Sequence, residues 1–158
     1  MKQLAIILMA IIFLSSCQNK SENLIKNAET MEKLAKQEIV NLLMTYKGTL
    51  NNSNAKKATS LYTKDGVFMP TGAPSGIGTE GILKSYKFVF SQIQLNIEFF
   101  IEEIQVEGNM AFAVTSSKGT VKILVNGAEA PEANRELFVF EKVDGEWKIA
   151  RYMFNKTK

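Results

Sequence analysis

From Leu95 to Asn155 the chain alternates apolar and polar residues with few breaks, and the breaks fall at Gly108-Asn109, Asn126-Gly127 and Asp144-Gly145. A period of two sends successive side chains to opposite faces of a strand, and glycine beside Asn or Asp between such runs marks a tight turn. The second half of the chain therefore reads as a series of antiparallel strands. In "LNIEFFIEEIQVEG", Leu95, Ile97, Phe99 and Ile101 share one face. The phase slips at Glu102-Glu103 before Ile104 and Val106, which predicts a bulge. "AEAPEAN" reads as a loop, and "RELFVFEKVDGEWKIARYMFN" as the closing hairpin.

Helical spacing precedes the strands. Met31, Leu34, Ala35, Ile39, Leu42, Leu43, Tyr46 and Leu50 form one stripe at three-to-four spacing. "NNSN" ends it, and Ser53 or Asn54 can cap a shorter helix carrying Ala55, Ala58, Leu61 and Tyr62. Asp65-Gly66 turns the chain, Val67 to Met69 reads as a short strand, and a Pro/Gly-rich loop follows. Thr79 can cap a third helix whose stripe is Ile82, Leu83, Tyr86, Val89 and Phe90, with Glu80 in the first turn. Helices followed by a run of strands predict an α+β domain.

The start of the chain carries a different signal. Lys2 precedes an unbroken apolar run from Leu4 to Leu14, too short for a membrane span and shaped like a secretory signal. "LSSC", ending at Cys17, resembles the lipobox of bacterial lipoproteins. The expectation is a signal peptide over 1–16, a lipidated Cys17 with a polar tether over 17–28, and one domain over 29–158. That places the protein in a bacterial cell envelope, with Gln18 after the cysteine favouring the outer membrane by resemblance to the known sorting rule.

Composition removes several chemistries. The 158 residues include one cysteine and no histidine, so an intrachain disulfide, Ser-His-Asp and Cys-His nucleophiles are excluded. A zinc or copper site is not expected, nor any other metal or cofactor. Nineteen basic residues against sixteen acidic ones, with no basic stripe, give no nucleic-acid footprint. "TGAPSGIG" lacks the Gly-Lys-Ser/Thr ending of a phosphate loop.

Helices, a short strand and a long meander resemble the nuclear transport factor 2-like superfamily. "YTKDGVFMPTGAPSGIGTEGI" and "ANRELFVFEKVDGEWKIARYMFN" are similar to its SnoaL-like branch. The resemblance runs from about Met31 to Asn155. It implies a cone-shaped, cystatin-like fold: three N-terminal helices packed in a curved antiparallel sheet around a pocket.

Ketosteroid isomerisation, known in that superfamily, uses a carboxylate base with a tyrosine and a protonated acid as oxyanion donors. By position, Tyr46 matches the donor tyrosine and Glu136, two residues before Phe138, matches the acid. The base position holds Met69-Pro70, and neither a thioether nor an imide accepts a proton, so that mechanism is disfavoured.

If Glu136 faces the interior, Phe138 and Phe140 do too, with Ala150, Tyr152 and Phe154 on the last strand. Met69, Phe90, Phe112 and Val114 are expected to complete the pocket wall. The opposite face would carry Leu137, Val139, Trp147, Ile149 and Met153, with Arg135, Glu141 and Arg151 in the same phase. A sheet apolar on both sides has both sides covered, so a homodimer through that outer face is expected.

Three functional readings follow. The first is an envelope-anchored, non-catalytic module binding a small apolar molecule, oriented by Tyr46, Glu136 and Tyr152. The second is an isomerase, cyclase or dehydratase using Glu136 as acid/base with Tyr46 and Tyr152. The third is a structural dimer whose cavity is filled by its own side chains.

Overall fold

The computed structural model describes the backbone of residues 2–157 and the side chains of residues 26–157. The lipidation site expected at Cys17 has a side chain outside the described residues. The chain divides into two units, Met1–Ala35 and Lys36–Lys158.

The elements are α1 (Lys2–Asn51), α2 (Ala55–Ser60), β1 (Tyr62–Met69), β2 (Gly76–Ile77), α3 (Gly78–Gln92), β3 (Ile93–Glu107), β4 (Met110–Ile123), β5 (Glu129–Val143) and β6 (Glu146–Lys156). The six strands form one sheet in the order β2-β1-β6-β5-β4-β3. This corrects the expected cone. The sheet is open, with β2 and β3 as its edges, and β1 runs parallel to β6, so it is mixed. The third helix is not N-terminal; α3 lies between β2 and β3.

Local chemistry accounts for the joints. Asn54 caps α2 by accepting from Lys57 N at 3.0 Å. Asp144 and Gly145, at φ 51° and 84°, make the two-residue hairpin that matches strand twist. The helix end is tied to the sheet edge by one amide: Asn51 Nδ2 donates to Ile97 O at 2.9 Å, and Ile97 N donates to Asn51 Oδ1 at 3.0 Å. Asn51 thus stands in for a missing strand partner along β3. Gly119 of β4 lies so close to β3 that a β-carbon there would collide with the Asn96 carbonyl oxygen.

Two bulges set which side chains face inward. One falls at Glu102, between the pairs Ile101↔Thr115 and Glu103↔Val114. The other falls at Ala150: Val139 pairs with Arg151 but Phe140 with Ile149. Each adds one residue and inverts the phase beyond it. Trp147 and Ile149 therefore turn to the inner face with Phe140 and are buried within this chain. That corrects their expected place in an outer interface. The outer face keeps Leu137, Val139 and Met153, beside Phe100, Phe112 and Val114. The core lies between the inner face and the helices, where Ile39, Leu43 and Tyr46 of α1 and Ile82 and Tyr86 of α3 are fully buried or nearly so.

Candidate active site

Register places the polar groups of three strands side by side. Thr115 pairs with Glu136, Ser117 with Asn134, Glu136 with Phe154 and Phe138 with Tyr152. Glu136 is buried at 5% exposure. Its Oε1 accepts from Ser117 Oγ at 2.9 Å and, at a longer 3.4 Å, from the Tyr152 hydroxyl. Its Oε2 accepts from Thr115 Oγ1. Among the described residues Glu136 has no ion-pair partner. Burial raises its pKa above 4.5, and the three hydroxyl donors, which favour the ionised form, offset only part of that rise.

That shift has a stability consequence. A carboxyl that holds its proton more tightly when folded loses stability as pH rises from the ordinary 4.5 through the raised value, and the penalty is complete above it. Glu136→Gln has no such proton. Relative to wild type its melting temperature should climb as pH increases from about 4 to about 8. Asp65, held low first by Thr63, and Glu146, held low by Lys148, slope the other way in both proteins and cancel from the difference. A gap between the two proteins that does not change with pH would contradict the shift.

Beside Glu136 three phenols meet. Tyr46 of α1 and Tyr62 of β1 both contact the Tyr86 hydroxyl of α3, at 2.5 and 2.7 Å. Burial pushes all three phenols, and Tyr152, to high pKa, so each keeps its hydrogen at neutral pH. Three hydroxyl hydrogens serve two O···O contacts, which leaves one hydrogen free for another acceptor. The Tyr46 ring meets Tyr152 edge-on, with centroids 5.4 Å apart. Tyr152 is sandwiched between Phe138 at 4.2 Å and Phe68 at 5.6 Å, both nearly parallel to it. Phe68 also stacks on Tyr86 at 4.8 Å.

Tyr46, Phe68, Tyr86, Glu136 and Tyr152 line a cavity of about 570 Å³ with mostly apolar walls. Pro70, Thr71, Lys84, Phe88 and Lys156 also contribute to its lining. Ligand pockets generally exceed about 300 Å³, and so does this cavity. Among the described residues no group of three or more His, Cys, Asp or Glu could hold a metal ion.

Of the residues singled out from the sequence, Tyr46, Phe90, Glu136, Tyr152 and Phe154 line the cavity. Phe138 is buried behind Tyr152. Met69, Phe112 and Val114 stand on the outer face, one residue out of phase, since the inward pairs are Phe68↔Tyr152 and Thr115↔Glu136. Sequence reasoning missed Phe68, Tyr62, Tyr86, Thr115, Ser117, Glu132 and Asn134. One signal was available on β4. Ala111, Ala113, Thr115 and Ser117 alternate as a small set on the inner face, and small side chains leave room for larger neighbours packed over them.

The fold and this buried Tyr–Glu network describe a small α+β domain of a family defined by residues 39–154, which match the model for the SnoaL-like domain. The chain belongs to the SnoaL-like domain family. It is similar to a ketosteroid isomerase-like protein from Erwinia carotovora atroseptica at 29% identity, covering 76% of this chain and 94% of that one, with a TM-score of 0.73. It shares its fold with a nuclear transport factor 2 superfamily protein from Salmonella enterica serovar Typhimurium at 19% identity, covering 80% and 93%, TM-score 0.71. A type 2 hexachlorocyclohexane dehydrochlorinase has the same fold at 14% identity, covering 81% and 89%, TM-score 0.70. No curated protein matches the chain.

Proposed function

We propose that the protein is an acid/base enzyme of isomerase, cyclase or dehydratase type, acting on a compact, largely apolar molecule that carries a carbonyl group. The observation behind this reading is the buried Glu136 carboxylate on the wall of an apolar cavity, which, unlike the Glu132 carboxylate paired with Lys156, has no cation partner among the described residues. Burial brings its proton affinity toward neutral pH, the range in which a group both takes and returns a proton efficiently. The likeness to a ketosteroid isomerase-like protein supports the same class.

Oε1 has two donors and Oε2 has one, so Oε2 keeps the freer lone pair. In this reading Oε2 removes a proton from the carbon next to the carbonyl. The Tyr46 hydroxyl donates to the oxygen that gains charge, with Tyr62 donating to Tyr86 and Tyr86 to Tyr46. Met69 and Pro70 take no part, and Glu136 is both acceptor and returner of the proton.

The test does not need the natural substrate. A panel of enolisable cyclic ketones is incubated with the protein in deuterium oxide, and carbon-bound deuterium is followed by mass spectrometry. Wild type should speed uptake for at least one ketone, and Glu136→Gln should lose about 10²–10⁴-fold of that rate. Uptake that survives in Glu136→Gln, or wild type inert with every ketone, would leave only a binding function.

A second proposal concerns the outer face, where exposed Phe100, Leu137 and Met153 lie among Arg135 and Arg151 and the acids Glu98 and Glu141. Both signs of charge on one apolar face suit pairing with a second copy, because a two-fold axis repeats any acid–base contact reciprocally. Sedimentation should give a dimer for wild type and a monomer for Leu137→Arg. A monomeric wild type refutes it.

A further inference from the structure

A chain of directional hydrogen bonds leads from the surface to Glu136. Lys156 Nζ bonds Glu132 Oε2 at 2.9 Å, and the two side chains are 55% and 7% exposed. Asn134 Nδ2 donates to Glu132 Oε1 at 3.1 Å and to Ser117 Oγ at 3.2 Å. Ser117, with no exposed surface, donates to Glu136 Oε1 at 2.9 Å. Each link fixes the next. The lysine holds the Glu132 carboxylate in place. That carboxylate fixes the Asn134 amide, since a flipped amide would set its oxygen against Glu132 Oε1. The amide occupies the Ser117 oxygen as an acceptor, so the serine hydrogen is left for Glu136. Asn134 Oδ1 is meanwhile buried without a hydrogen-bond partner. An unpaired buried acceptor lowers stability, a cost that the two bonds made by Nδ2 offset.

We propose that Lys156, Glu132 and Asn134 are positioning residues that hold Ser117 as an obligatory donor to Glu136. They thereby set how tightly the carboxyl holds its proton and which of its oxygens is freer to react. This inference rests on the reading of Glu136 as the acid/base group. The other titratable groups around Glu136 are phenols: Tyr152 of β6 donates to it, and Tyr46 of α1 packs on Tyr152, with Tyr86 of α3 and Tyr62 of β1 behind. Lys84 of α3 and Lys156 line the same cavity, but neither is ion-paired with Glu136 among the described residues, so the serine and threonine donors are the main groups favouring its ionised form.

The experiment is a carbon-13 titration of the Glu136 carboxyl in the intact chain, assigned by its loss in Glu136→Gln. Asn134→Leu changes no charge, yet should raise the Glu136 midpoint by about 1 pH unit, because Ser117 is released to turn away. Lys156→Met should raise it by about half a unit in the native background and by much less when Asn134 is already Leu. Lys156→Arg should restore the wild-type value. Should the amide spectrum show that Asn134→Leu disturbs the fold, Asn134→Ala answers the same question. A midpoint that ignores the Asn134 change, or a Lys156→Met shift equal in both backgrounds, overturns the chain and leaves only a through-space charge. Failure of the acid/base reading looks different: wild-type Glu136 would itself titrate in the ordinary carboxylate range.

Discussion

Phe138→Ala should lower the free energy of unfolding by about 3–5 kcal/mol, the usual cost of emptying a buried phenylalanine site. Phe138 has no exposed surface and sits where four rings meet. Its centroid lies 4.2 Å from Tyr152, 5.6 Å from Tyr46, 5.9 Å from Phe140 and 6.2 Å from Phe99. These neighbours come from β6, α1, β5 and β3, so collapse around the missing ring would require several elements to shift together, and the void stays open. Phe154, which already borders the cavity, should lose less on truncation because part of its surface has no neighbour to lose. Urea unfolding of both variants measures the comparison, with an unchanged slope confirming that only stability moved. A loss below about 1 kcal/mol for Phe138→Ala would mean that the ring stack is not the core.

The parts of the fold that could be read from the sequence are those decided locally. The stripe through Ile39, Leu43, Tyr46 and Leu50 is buried as spaced, because a helix period depends on near neighbours alone. The turns at Gly108, Gly127 and Asp144-Gly145 have the positive φ that their residues allow, and the bulge at Glu102 betrayed itself by two adjacent acids. The bulge at Ala150 left no such mark. Both phases of β6 are apolar, so a skipped residue changes nothing visible in the alternation, and strict alternation puts Trp147 and Ile149 on the wrong face. "AEAPEAN" has turn-forming composition, yet Glu129 to Asn134 continue β5 against β4. Pro131 is tolerated there because β6 reaches only as far as Asn134, which leaves β5 an edge strand at that point. The parallel pairing of β1 with β6 joins segments more than eighty residues apart in the chain, and no local pattern encodes such a partner.

The site divides along the same line. Glu136 and Tyr152 were legible as polar groups inside apolar strands. Thr115 and Ser117 were not, because hydroxyls on a strand are ordinarily surface residues, and only cross-strand register brings them to Glu136. The phenol trio needs α1, β1 and α3 in place at once. Tyr62 and Tyr86 each read as ordinary members of an apolar stripe, and nothing in either stripe indicates that their hydroxyls meet.

Tyr86→Phe should therefore destabilise the protein far more than Tyr62→Phe, although each removes one oxygen atom. Tyr86 is the hub: its hydroxyl is the contact of both Tyr46 and Tyr62. Removing it strands two buried hydroxyls, and each unsatisfied group costs about 1–3 kcal/mol, so a total of about 2–6 kcal/mol is expected. Removing the Tyr62 hydroxyl leaves Tyr46 and Tyr86 still bonded to each other, for a loss near 1 kcal/mol, the net worth of one such bond. The phenyl ring itself is kept in both variants, so the stack of Phe68 on residue 86 survives and packing does not confuse the comparison. Deuterium uptake adds a second reading. Without Tyr86 the Tyr46 hydrogen is no longer directed from behind, and the rate should fall, but by less than in Glu136→Gln, because the proton-accepting group is untouched. Equal losses of stability in the two tyrosine variants would show that the three hydroxyls act separately, and the donor relay to Tyr46 would have no structural basis.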